Sequence, residues 1–313
     1  MQGETSVAGF VLESTYARHN CPVRVLTKNT STGAYLSLDQ QGVRIWNSTG
    51  PPASRDVKRV DFPKADRGFI SRIIYVPSQR LYFGAALDMN IQVFDNDFKF
   101  MQAVPSGQRS VLCLDFDVDA QELISAGIDG VKIWRFRLAQ LLRFRKSTTP
   151  PNPASDYCLQ ERLHIAEFSH TMVLPVAKPV SHPDAHNLVE PDTPTKGTLS
   201  WVFEACRFES FLFVVTGGAV VALDVRTGQW LDTWQSMHEQ DVTSVLFYSP
   251  RRYMLTASND CTIKVWTVRN NLTSSAGPSA RGPTDETVSL VKTFTCHRCA
   301  EKLSPIYHYR IPR

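Results

Sequence analysis

The residues of this chain that could do chemistry fall into a few groups. His238 and Asp260 pair an imidazole with a carboxylate, the combination from which a catalytic dyad is built. Cys296-His297-Arg298-Cys299, with His308 downstream, offers soft donors to zinc, but zinc wants four ligands in a tetrahedron and no second CxxC or HxxxH pair follows. His164, His170, His182 and His186 lie in a Pro-rich segment and could gather a metal only if that segment were ordered. Asp115, Asp117 and Asp119 have the spacing that opens a calcium loop, yet Ala120 stands where its turn needs Gly and Ala126 where its bidentate Glu belongs. Nucleophile elbows, phosphate loops, HExxH, GxGxxG and kinase signatures are missing, and Thr216-Gly217-Gly218 reads as a turn. These observations predict no enzyme, no metal and no cofactor.

The elements that carry His238 and Asp260 are strands. Between Met237 and Val268, the runs DVTSVLFY, YMLTAS and TIKVWTV are rich in β-branched and aromatic residues, and turn formers at Ser249-Pro250-Arg251-Arg252 and Asn259-Asp260 separate them. Such a unit cannot bury its own faces, so its neighbours should be copies of it. The order His238, Val242-x-x-Val245-x-Phe247, Thr256-Ala257-Ser258, Asp260, Trp266 resembles a WD40 repeat of a β-propeller, with Met237 in place of the usual Gly and Thr267 in place of the usual Asp. The resemblance implies that His238, Thr256, Asp260 and Trp266 form a hydrogen-bonded chain across one blade. That makes His238 and Asp260 structural, because a satisfied buried network locks a sheet.

Further copies follow the same pattern. One spans 19–46, with His19-x-x-x-Val23-x-x-Leu26 opening it and Gly42-Val43-Arg44-Ile45-Trp46 closing it, though Asp39 sits one residue too early. A second spans 69–95: its Asp88-to-Phe94 spacing repeats Asp260 to Trp266, Phe replaces Trp and no histidine precedes it. A third, 110–134, carries Ser125, the turn Asp129-Gly130 and Trp134, again without a histidine. Incomplete polar chains leave these two blades to apolar packing. A fourth, 201–225, joins the run Phe211 to Val215 to Ala219–Val225, and 238–268 is the fifth. The fold expected is all-β: a WD40-like propeller of about five to six blades of four-stranded antiparallel sheet, incomplete or open, over 1–313. Two long disordered insertions are expected in it. One is Pro-rich, 147–200, whose composition opposes a strand ladder except at Tyr157–Phe168, an outer strand or short helix. The other is 270–286, and a partial repeat start occupies 288–313, so the chain could be a fragment, an isoform or part of a longer array. An open edge would invite association.

Composition bounds the partners. Hydrophobic residues at 42% suffice for a core, and Lys+Arg 34 against Asp+Glu 30 leaves a net charge of +4, too little for a dedicated nucleic-acid surface. There is no basic n-region with an apolar core at the start and no run of about 18 apolar residues, which predicts a soluble, cytoplasmic chain with no membrane span. The 7 cysteines then read as reduced thiols, and the sequons at Asn29, Asn47 and Asn271 carry no weight.

By resemblance, partners meet such a propeller on the narrow face. They meet it at the residue just inside the first strand, at the one two before it and at the one preceding the turn aspartate. These positions are Thr243, Asp241 and Asn259; Leu112, Ser110 and Ile128; and Ser71, Phe69 and Leu87. The expected function is a scaffold that docks protein or peptide partners. The alternative is an architectural segment of a larger cytoskeletal or ciliary assembly completed by further repeats. Arg135 to Lys146 is basic and apolar: as a helix it would put Leu138, Leu141 and Leu142 on one face, suited to an acidic groove or an anionic surface, and as a strand it would be structural.

Overall fold

The computed structural model describes residues 16, 18–47, 56–61, 70–152, 155–171, 194–198, 202–216, 218–234, 237–248, 251–268 and 288–295. The chain divides into two compact units, Met1–Phe69 and Ile70–Arg313.

The first unit holds one antiparallel sheet in the order β1 (Val25–Lys28), β2 (Tyr35–Leu38), β3 (Gly42–Trp46) and β4 (Asp56–Asp61). Its turns are made by side chains that replace ladder partners. Asn29 Oδ1 accepts the N–H groups of Ser31 and Thr32, and Asp39 Oδ1 accepts those of Gln41 and Gly42. Trp46 stacks between Tyr16 and Tyr35, at centroid distances of 4.6 and 5.0 Å.

The second unit repeats the same meander. Strands β5 (Ile70–Val76), β6 (Leu81–Ala86), β7 (Asn90–Phe94) and β8 (Phe100–Pro105) form one sheet. The next is β9 (Ser110–Asp117), β10 (Glu122–Ile128), β11 (Gly130–Phe136) and β12 (Leu159–Ile165), with helix α1 (Leu138–Lys146) between its last two strands. A two-stranded ladder, β13 (Glu167–Thr171) with β14 (Pro194–Thr198), separates it from the sheet β15 (Glu204–Phe208), β16 (Phe211–Thr216), β17 (Ala219–Asp224) and β18 (Trp230–Trp234). The last is β19 (Val242–Tyr248), β20 (Tyr253–Ser258), β21 (Thr262–Val268) and β22 (Val288–Thr295).

Three apolar layers join these four sheets in succession among the described residues. Phe83, Val93 and Ile91 meet Val111, Leu123 and Trp134; Ile124 and Ile133 meet Val214 and Val221; Phe213 and Val220 meet Val245, Met254 and Trp266. First strands lie side by side, β5 next to β9, β9 next to β15 and β15 next to β19. Covered on both faces, β6, β10 and β16 are buried almost end to end, and β16 reads as a continuous apolar run. Fully burying a side chain such as Phe83 or Phe213 contributes about 2–3 kcal/mol.

The register makes the repeat exact in a way the side chains do not. In all five described four-stranded sheets the ladder between third and fourth strands slips at the same residue: Trp46, Phe94, Trp134, Leu223 and Trp266. Each lies opposite an equivalent second-strand residue: Tyr35, Tyr82, Leu123, Leu212 and Met254. A bulge there bends the outer strand and adds twist.

Three expectations are corrected. The Pro-rich segment 147–200 forms a ladder beyond 157–168, because β13 and β14, both inside it, pair with each other. Such a ladder needs only backbone donors and acceptors, and Pro194 takes the first position of β14, where a missing N–H is tolerated. The helix expected over this stretch forms, but its leucines do not act as one docking face: Leu141 is buried in the layer beneath the helix while Leu138 and Leu142 are exposed. Val23 precedes β1 and is exposed, because the strand begins only at Val25. The segments 270–286 and 296–313, including Cys296, His297, Cys299 and His308, lie outside the described residues, as do His182 and His186.

Candidate functional site

His238 is held by three groups. Its Nδ1–H points at Asp260 Oδ2 (2.9 Å) with Thr262 Oγ1 at 3.0 Å, and its Nε2 meets Thr256 Oγ1 at 2.7 Å. Trp266 Nε1–H donates to the same Thr256 oxygen at 2.8 Å. Donation from Trp266 to Thr256, from Thr256 to His238 and from His238 to Asp260 runs in one direction along the chain. Burial would raise the Asp260 pKa, but hydrogen bonds from Thr262, His238 and the backbone N–H groups of Thr262 and Glu239 outweigh it and hold the carboxyl at about 2. The His238 side chain is 0% exposed and both ring nitrogens are engaged, so it has no free lone pair for a substrate. This pair braces a sheet; it is not a general base.

The same brace recurs with different residues. In the first unit His19 Nδ1 meets Asp39 Oδ2 at 2.7 Å, His19 Nε2 meets Ser37 Oγ at 2.5 Å, and Trp46 Nε1–H donates to Ser37 at 3.0 Å. In the sheet β9 to β12, Gln108 stands in for histidine: Ser125 Oγ donates to Gln108 Oε1 (2.5 Å), Trp134 Nε1–H donates to Ser125 (2.9 Å), and Gln108 Nε2 donates to the Gly130 carbonyl (3.2 Å). That polar chain is therefore not incomplete, as a missing histidine had implied. Asp129 does not belong to it. With φ at +77° its carboxylate turns outward to Arg109, whose hydrogen bonds hold its pKa low, and His164 Nε2–H donates to its carbonyl. In the sheet β5 to β8 no polar chain forms around Gly84 among the described residues. A methyl there would meet Ile70 at 3.1 Å and Phe94 at 3.6 Å, so apolar groups fill the space, and Asp88 accepts the N–H of Asn90.

The proposed rim positions share a backbone feature that sequence reasoning missed. Ser71, Leu112 and Thr243 are the residues skipped by the ladder between first and second strands. A bulge at that point re-aims a side chain out of the alternating pattern. Their neighbours cross the turn: Ser110 lies opposite Ile128, and the Asp241 carbonyl accepts the N–H of Asn259 at 3.1 Å. Asp241, Thr243, Asn259 and Leu87 are exposed, Leu87 at 54%; Ser71, Ser110, Leu112 and Ile128 are half-buried; Phe69 lies outside the described residues. This end of the second unit is stitched from sheet to sheet. Ser71 Oγ–H reaches the Val111 carbonyl, Arg72 donates to the Leu112 carbonyl, and Val242 N–H donates to the Gly218 carbonyl.

At the opposite end of the strands, charges clamp two sheets. Glu122, on β10, accepts from Arg162 on β12 and from Arg207 on β15 (2.8 Å), and Arg207 also pairs with Asp117 at 2.7 Å. Asp117 is thus a clamp residue. Asp115 beside it is raised in pKa by burial, against the N–H groups of Arg207 and Phe116 that it accepts. No signal beyond charge marks these residues in the sequence. Burial also pushes up the thiols of Cys113 and Cys206, and that of Cys158 to about 12, which leaves them unreactive. Among the described residues no group of His, Cys, Asp and Glu is arranged to hold a metal ion.

Residues 229–267 match the family described as WD domain, G-beta repeat. That stretch covers β18 through β21 and contains His238, Thr256, Asp260 and Trp266. The all-β architecture, with five four-stranded antiparallel sheets among the described residues, fits a WD-repeat family. No curated protein matches the chain.

Proposed function

We propose that this chain is a non-catalytic scaffold that docks protein or peptide partners on the rim formed by Ser71, Leu87, Ser110, Leu112, Ile128, Asp241, Thr243 and Asn259. The observation that carries the reading is the recurrence of the first-strand bulge at Ser71, Leu112 and Thr243, which sets an equivalent residue at the same end of three sheets. Rigid sheets hold these loops still, so a partner would pay little entropy to order them. Leu87, exposed beside Asp88, supplies an apolar anchor. Work in the cytoplasm suits such a scaffold, and no helix among the described residues is long and apolar enough to cross a membrane.

Peptides selected from a displayed library against the purified chain test this. They should lose binding to Leu87→Asp and Asn259→Arg and keep it for a substitution at the far end of the strands, such as Lys99→Ser. Equal binding to all three variants would refute the rim.

A second reading has its own observation. On the last sheet Leu246, Tyr248, Ile263 and Phe294 form an exposed apolar face, a surface suited to an architectural segment within a larger cytoskeletal or ciliary assembly completed by further repeats. Monomeric behaviour of the chain at high concentration would count against it.

A further inference from the structure

We propose that α1 and the two arginines before it form a docking face for an anionic phospholipid surface, independent of the rim. Between Gly130 and Ser155 the chain has six cationic residues, Lys132, Arg135, Arg137, Arg143, Arg145 and Lys146, and no Asp or Glu, although the whole chain carries only +4. Lys132 is neutralised by Glu161 at 2.7 Å, while the other five are exposed. Arg143 feels the carboxylate of Asp156 across the loop; no hydrogen bond joins them among the described contacts.

Helix stability does not account for this charge. Arg143, Arg145 and Lys146 in the last turn suit the negative end of the helix dipole, but Arg135 and Arg137 sit at the positive end, where cations are unfavourable. No acid occupies the first turn, and Arg137 at the N-cap makes no side-chain cap bond. Nor does packing account for the leucines. Leu141 alone is buried, in the apolar layer between the two sheets, where the helix lies beside β8 of the neighbouring sheet, while Leu138 and Leu142 stand one turn apart on the outer side at 43% and 45% exposure. At 100° per residue, Leu138, Ala139, Leu142, Arg143 and Lys146 share that outer side.

The outer side of the helix is cationic and carries two exposed apolar side chains. Because Leu141 is buried beneath the helix, a partner groove cannot wrap around it, and a surface approached from the outer side can use Arg143 and Lys146 together with both leucines. A layer of anionic headgroups over an acyl boundary meets both requirements: it attracts the arginines and admits the leucines.

Co-sedimentation of the full chain with vesicles tests it, using phosphatidylcholine alone and phosphatidylcholine with phosphatidylserine. Binding should favour the anionic vesicles by about tenfold or more at low salt and collapse at high salt. Arg143→Glu combined with Lys146→Glu should abolish the preference, and Leu138→Ser with Leu142→Ser should weaken binding several-fold while charge is unchanged. These side chains are exposed, so circular dichroism should show the fold retained. Equal or no binding to the two vesicle types would overturn the proposal. So would capture by polyglutamate or RNA without capture by anionic vesicles, which would assign the face to an acidic macromolecule.

Discussion

Asp260 is held at about 2 because four donors converge on it, and this makes the brace of the last sheet a source of pH dependence. A carboxyl whose pKa is lower folded than unfolded stabilises the fold above its unfolded value, ordinarily 3.8, and loses that contribution as pH falls toward the folded value. Asp260→Asn should therefore cost about 1–3 kcal/mol in urea melts at pH 6, and the gap from the parent chain should shrink between pH 4 and pH 2. A gap that stays constant across that range would remove the carboxylate from the account. Gln108→Ala should also cost about 1–3 kcal/mol, since it strands the buried Ser125 hydroxyl and the Gly130 carbonyl. That second brace shows where residue types mislead: Gln108 and His238 reach a hydroxyl in the same way, but only histidine has a recognisable spacing. Asp129 shows the reverse. An Asp before a Trp looks like Asp260, yet Asp129 stands one residue closer to its Trp and turns its side chain out to Arg109.

At the scale of the element, strands were legible where a middle strand is buried on both faces and so continuously apolar, as in Phe211 to Val215. Turns were less so. Arg80, Gln121 and Arg252, the residues just before β6, β10 and β20, all have φ near +50°, a conformation that their types do not announce. Bulges leave no trace in residue type at Leu112 or Thr243, and β13 with β14 pairs through polar sequence. Gly127, at the bulge between β9 and β10, is the exception: a methyl there would run into the Ser110 carbonyl of the partner strand. Gly127→Ala should destabilise by about 1–3 kcal/mol by chemical denaturation. At Gly33, with φ +76° but open space around it, the same change should cost nearer 1 kcal/mol. Equal costs would mean that close approach does not define the bulge.

For the whole molecule, the sequence pattern conveys that units repeat but not how neighbouring units are fastened, because the fastening residues come from distant positions and have no shared spacing. Glu122, Arg162 and Arg207 are ordinary surface types that become buried only once the second and third sheets of the larger unit pack together. Everything proposed for the rim depends on that packing, since only side-by-side first strands place Leu112 and Thr243 at one end. A double-mutant cycle between Glu122 and Arg207 tests it most directly, with Glu122→Ala, Arg207→Ala and the double variant compared by urea unfolding. Side chains this buried and 2.8 Å apart should couple by at least about 1 kcal/mol. A coupling energy within error of zero would mean that β10 and β15 do not meet, and would contradict the stacked arrangement.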